Sequence, residues 1–150
     1  MRIVLQRVKK SSVIINSNEK REISQGLNLL VGISETDTEK EVIYLAKKCV
    51  DLRIFSDEND KLNLSVLDIG GAILAISNFT LYGDCKKGKR PSFIKAGRPE
   101  MSEKLYEMFV SEIKKSGLVV KTGEFGADME VEIINDGPIT IILDTETMLK

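Results

Sequence analysis

The sequence predicts an α/β fold: a mixed sheet with two main helices packed together on one side of it. Three observations carry this. β-rich apolar runs cluster at both ends of the chain. Two stretches between them repeat their apolar residues at helical spacing. One run in the middle, Ala72-Ile73-Leu74-Ala75-Ile76, is apolar without interruption, as in a strand buried on both faces. The 150 residues contain no repeat, linker or low-complexity tract, so residues 1–150 are read as one domain.

In chain order, residues 2–8 alternate apolar and polar and read as a strand, followed by apolar β-rich runs at 12–16 and 26–33. Asn16-Ser17-Asn18 is a turn signal between the last two. The spacing then predicts a helix over 38–53. Thr38 can cap it, Glu41 can close a capping box, and Val42, Leu45, Ala46, Cys49 and Leu52 form its buried stripe. Residues 55–63 read as a polar loop, 71–78 as the buried strand, and 83–98 as a loop. Pro99 suits the first turn of a second helix, striped by Met101, Leu105, Met108, Phe109 and Ile113, with Gly117 placed to end it. Residues 118–121, 129–135 and 139–143 are the last strands.

Composition narrows the chemistry. There is no histidine, which removes Ser-His-Asp triads, Cys-His pairs and most zinc sites. No metal or other cofactor is expected: phosphate-loop, dinucleotide and metal-ligand spacings are all missing. The net charge is −1, so any nucleic-acid contact must come from a local patch. Cys49 reads as a core residue and Cys85 as a free thiol, and with no export signal or apolar membrane span the cytosol is the expected compartment.

Four stretches could carry function. Ser77-Asn78-Phe79-Thr80-Leu81-Tyr82-Gly83 ends the buried strand, where backbone N–H groups become free to bind a ligand. Asn135-Asp136-Gly137-Pro138-Ile139-Thr140 interrupts two apolar strands, and proline there must sit at an edge or an exit. Lys86, Lys87, Lys89, Arg90, Lys95 and Arg98 are offset only by Asp84, a concentrated positive run suited to phosphates, with Phe93 inside it able to stack on a base. Thr122-Gly123-Glu124-Phe125-Gly126-Ala127-Asp128-Met129 would let a flat ligand approach the backbone. Each also fits a plainer reading, as a polar turn, a β-turn, a solvated loop or a connection around one buried ring.

Taken together, these stretches resemble the D-aminoacyl-tRNA deacylase family, formerly the D-tyrosyl-tRNA deacylases. The likeness covers nearly the whole chain: Gln6-Arg7-Val8, Val31-Gly32, Arg53-Ile54-Phe55-Ser56-Asp57, Arg90-Pro91-Ser92-Phe93, Ala127-Asp128-Met129 and Asn135-Asp136-Gly137-Pro138-Ile139-Thr140 occur in the family's order and spacing. The family signature Ser-Gln-Phe-Thr stands here as Ser77-Asn78-Phe79-Thr80, with an amide one methylene shorter.

The resemblance implies a three-layer β/β/α homodimer that cleaves the ester between a D-amino acid and the 3′-terminal adenosine of tRNA. It implies a catalytic segment of Ser77, Asn78, Phe79 and Thr80, with the Phe79 and Thr80 N–H groups as an oxyanion hole. Gly137, Pro138 and Thr140 would select chirality, the Gly137–Pro138 bond being cis and its loop entering the partner's site. Phe125 and Met129 would line the adenosine pocket, Arg7 would support the loop, and Lys86, Lys87, Lys89 and Arg90 would meet the tRNA backbone. A wall that excludes L side chains does not exclude glycine, so glycyl-tRNA is an expected second substrate. The family's chemistry relies on the terminal 2′-hydroxyl of the tRNA; Thr80 as a nucleophile would need an activating base, and the sequence offers none. Neither a membrane nor DNA is an expected partner. The alternative from another class is a non-enzymatic tRNA- or RNA-binding module on the same scaffold, with salt-sensitive binding and no ester cleavage.

Overall fold

The computed structural model describes residues 1–149. The first strand, β1, runs unbroken over Arg2–Ile15 and organises the sheet. Along one edge it pairs antiparallel with β2 (Glu19–Ile23) and β3 (Gly26–Gly32); along the other it pairs over its whole length with β8 (Met129–Asp144). β3 then pairs in parallel with β6 (Ala72–Ser77), and β6 in parallel with β7 (Val119–Thr122). The sheet is therefore mixed, with six strands. It curls until Arg21 of β2 donates to the carbonyls of Thr122 and Gly123 at the end of β7, at 2.9 and 3.2 Å, which leaves it nearly closed.

Strand alternation divides the apolar side chains between two cores. Leu27, Leu29 and Val31 of β3 and Ile73 and Ala75 of β6 face the helix layer, formed by α1 (Glu39–Asp51) and α2 (Pro99–Lys114). Leu74 and Ile76 of β6 face the inside of the curl, with Val8, Val13, Ile15 and Ile23. Both faces of β6 are thus covered, as its uninterrupted apolar run requires. The capping box of α1 is present, with Thr38 and Glu41 in their expected places. Pro99 opens α2, whose buried face includes Leu105, Phe109 and Ile113. Gly117, at φ +85°, turns the chain toward β7.

Several boundaries differ from those the sequence predicts. The runs at 2–8 and 12–16 belong to one strand, because β1 continues past an irregularity at Lys9 to Lys10 and Ser11, which pair with β8, Ser11 also pairing with β2. β2 is an added strand; its sequence Glu-Lys-Arg-Glu-Ile is too charged to show a strand pattern. The expected loop at 55–63 holds a small hairpin, β4 (Phe55–Ser56) with β5 (Leu62–Leu64), closed by Asp57, whose carboxylate accepts from the N–H groups of Asn59 and Lys61. The strands at 129–135 and 139–143 are a single strand, β8, interrupted by a bulge. A final turn of helix, α3 (Thr145–Met148), is capped by Asp144.

Candidate active site

β6 delivers the chain to the mouth of a pocket of about 760 Å³. Leu30 and Ile76 form part of its floor, Ser77, Asn78 and Phe79 one wall, and Gly97, Arg98 and Ser102 at the start of α2 another. Phe125, Ala127 and Met129 complete it, so the second half of the chain closes over the first. Gly123 makes this closure possible: a Cβ there would stand 2.4 Å from the Met129 sulfur. Phe125 packs against Tyr106 at 6.2 Å between ring centroids, and the Tyr106 hydroxyl donates to the Ala75 carbonyl at 2.8 Å. Burial holds that phenol well above its usual range, so it stays a neutral donor.

Beyond Ser77 the backbone leaves the sheet and tightens into a 3₁₀ turn, Phe79–Tyr82. The Asn78 N–H is spent on the Val31 carbonyl, and the turn closes by Leu81 N–H to the Asn78 carbonyl. Among the described residues, the N–H groups of Phe79 and Thr80 donate to nothing. The turn is held from outside by Arg2. Its guanidinium donates to the Leu81 carbonyl and to the Asp144 carboxylate, each at 2.8 Å, and lies over the Tyr82 ring. The Thr80 hydroxyl donates to the Asn78 side-chain oxygen, which is an amide and no base. Of the residues lining the pocket, only Arg98 and Asp128 can ionise, so the wall holds no acid–base pair of carboxylates.

The Gly-Pro motif lies elsewhere on the same chain. Between the pairs Gln6 with Thr140 and Val8 with Asn135, β1 has one residue, Arg7, while β8 has four, 136–139. The excess is pushed out as a bulge. The Asn135 side chain staples it, accepting from the Ile139 N–H at 2.8 Å and donating to the Ile139 carbonyl at 3.0 Å. Arg7 holds it from the sheet side, donating to the Asp136 carbonyl at 3.0 Å and to the Ile54 carbonyl at 2.9 Å. The Thr140 hydroxyl is within hydrogen-bond distance of both Gln6 and Asn135. The Gly137–Pro138 bond is cis, and Gly137 and Pro138 stand exposed at the tip. Gly137 has φ +142°, and a Cβ on it would meet the Ile139 nitrogen at 2.7 Å.

Of the residues singled out from sequence, Ser77, Asn78, Phe79, Phe125 and Met129 thus meet in one pocket, with Thr80 just outside its lining. Gly137, Pro138 and Thr140 do not line the pocket of their own chain. Lys86, Lys87, Lys89 and Arg90 are exposed on a loop whose ends are tied by paired backbone bonds between Asp84 and Ser92. Sequence reading missed Arg2, Gly97 and Ser102 as parts of the site. Arg2 looks like any charged residue opening a strand, and only the Gly97-Arg98-Pro99 helix start hinted at a wall.

The fold and the site define a mixed α/β protein with a ligand pocket where a buried strand exits into free backbone N–H groups. The family model described as D-Tyr-tRNA(Tyr) deacylase matches residues 4–144, and the chain belongs to that family. It is 53% identical to the D-aminoacyl-tRNA deacylase of Bacillus cereus (strain B4264) over 146 residues, 97% of this chain and all of that one. The Bacillus cytotoxicus protein of the same name is 52% identical over the same coverage. Among solved structures, the c-Myc DNA unwinding element binding protein superposes with a TM-score of 0.88 at 40% identity, covering 96% of this chain and 98% of that one. A probable eukaryotic D-amino acid tRNA deacylase superposes at 0.81 with 16% identity, over 95% and 97% of the two chains, and shares the fold.

Proposed function

We propose that this protein hydrolyses the ester joining a D-amino acid to the 3′-terminal adenosine of tRNA, and that it does so as a homodimer. The observation that carries the dimer is the separation of the two motifs: the Gly137-Pro138 tip is exposed and does not line the pocket that Ser77, Asn78 and Phe79 of its own chain form. In a two-fold dimer each tip enters the partner's pocket, an isologous exchange that completes both sites. The curled sheets and the helices then make the three layers of the β/β/α arrangement.

In this reading Phe125 and Met129 hold the terminal adenosine. The free N–H groups of Phe79 and Thr80 meet the oxyanion that forms as the ester carbonyl is attacked. The attacking water is assisted by the 2′-hydroxyl of the terminal ribose, which suits a pocket wall without an acid–base pair. The partner's Gly137 carbonyl receives the substrate amino group, and the rigid loop around it leaves no room for an L side chain. Lys86, Lys87, Lys89 and Arg90 bind the RNA backbone.

Matched D-tyrosyl-, L-tyrosyl- and glycyl-tRNA, incubated with the purified protein after metal chelation, test this. Loss of the D-tyrosyl and glycyl esters with the L ester spared is the expected result. Cleavage of D and L esters at equal rates would overturn the chiral wall. Salt-sensitive tRNA binding without cleavage of any ester would favour a non-enzymatic binding module instead.

A further inference from the structure

The pocket leaves an apolar group unburied at its mouth. Phe79 is 56% exposed and Phe93 37%, and both belong to the pocket lining. The two phenyl rings meet edge to face, with centroids 5.2 Å apart and planes at 74°. They are held in place from both sides. Phe79 begins the 3₁₀ turn that Arg2 anchors. Phe93 follows the Asp84–Ser92 bridge, its carbonyl accepts from the Ala96 N–H at 3.0 Å, and its ring lies against Gly83.

The loop that carries Phe93 also carries Lys86, Lys87, Lys89, Arg90, Lys95 and Arg98, all exposed. None of the six forms an ion pair among the described residues, although the protein as a whole carries a net charge of −1. Fixed rings beside a loop of unneutralised cations match a flat apolar group on an anionic chain, which is a nucleotide in a single strand.

We propose that Phe79 and Phe93 form a stacking platform for the base immediately 5′ of the terminal nucleoside, with the cations of the 84–98 loop on the phosphates beside it. This rests on the reading that the pocket takes the terminal nucleoside. The pocket then fixes the end of the RNA, and the platform turns the preceding base aside and sets the angle at which the strand enters. Arg98, one of the six cations, lines the pocket together with Phe79 and Phe93.

The test is a binding cycle with uncharged oligoribonucleotides, so it does not depend on cleavage. One probe ends in cytidine-cytidine-adenosine, and the other lacks the base of the penultimate nucleotide. Removing that base is expected to weaken binding to the unaltered protein about 5- to 150-fold, the range of one base–aromatic stack. In Phe93→Ala the two probes should differ by no more than about twofold, as coupled sites require, while Phe93→Trp should keep the full difference. Phe79→Ala provides a second, independent removal of the platform should Phe93→Ala fail to melt cooperatively. Equal loss of affinity in the unaltered and alanine proteins, or no loss in either, would overturn the platform. A protein that shows this cycle but cleaves no aminoacyl ester would keep the platform and lose the proposed activity.

Discussion

Replacing Arg7 should loosen the Gly-Pro bulge, and the structure sets the scale. Its guanidinium bridges two carbonyls from different segments, Asp136 at 3.0 Å and Ile54 at 2.9 Å, with the Asp136 carboxylate 3.4 Å away. Its side chain is 12% exposed and that of Asp136 29%, so solvent screens the pair only in part. A charge-assisted hydrogen bond contributes about 1.5–3 kcal/mol, so the two together contribute about 3–6 kcal/mol, and discounting for that screening leaves about 2–4 kcal/mol for Arg7→Ala. In a domain of this size that lowers the melting temperature by about 4–16 °C. Lysine keeps the charge but cannot span two diverging carbonyls, so Arg7→Lys should recover less than half of the loss. The functional effect follows from the same bonds: a bulge freed on its sheet side is a softer wall. The ratio of D- to L-tyrosyl-tRNA hydrolysis, measured well below the melting temperature, should fall about tenfold for each 1.4 kcal/mol of discrimination lost. An unchanged melting temperature would refute the stability argument. A destabilised protein with an intact D/L ratio would show that the wall does not depend on Arg7.

Three further outcomes are expected. Asn28 is fully buried beside Leu74 with both side-chain polar atoms unpartnered, so the isosteric Asn28→Leu should stabilise the fold by about 1–3 kcal/mol in denaturant titration; a lower midpoint would show that the amide has a partner in solution. Gly123→Ala should push Met129 into the pocket and raise KM for D-tyrosyl-tRNA more than it lowers the melting temperature would suggest; unchanged kinetics would place the nucleoside elsewhere. The Glu41 carboxyl is held below its usual range by the Thr38 hydroxyl and backbone N–H groups. Its contribution is therefore complete above the unfolded value of about 4.3 and is lost as pH falls through the lower folded value. The stability gap between the unaltered protein and Glu41→Ala should close in acid, and a gap independent of pH would contradict the capping box.

Much of this was legible in the sequence, for identifiable reasons. Local patterns carried the helices, since Thr38 and Glu41 and the stripe from Val42 to Leu52 act within a few turns. The uninterrupted run at Ala72–Ser77 announced a strand covered on both faces. What stayed hidden depends on pairing between distant segments. β2 is charged and is a strand because β1 offers it an edge in the same register that β3 uses. β8 reads as two strands because the bulge at 136–139 interrupts its alternation, and only the opposing Arg7 shows that four residues stand against one. The site divides in the same way. Ser77 to Phe79 could be found from a strand ending in polar residues. The wall of Gly97 and Ser102 comes from packing at the start of α2, which no local spacing encodes.

The most direct test of the account is whether one chain's loop completes the other chain's pocket. Ala127→Trp fills a residue of the pocket lining, and Gly137→Ala places a Cβ 2.7 Å from the Ile139 nitrogen at the loop tip. Each variant alone, provided it melts cooperatively, should be inactive on D-tyrosyl-tRNA. Mixed by unfolding and refolding together, they form two-fold dimers at random, half of them mixed and each mixed dimer with one intact site, so about one quarter of the unaltered activity should return. A mixture as inactive as its components would mean that pocket and loop act within one chain, and would contradict the account.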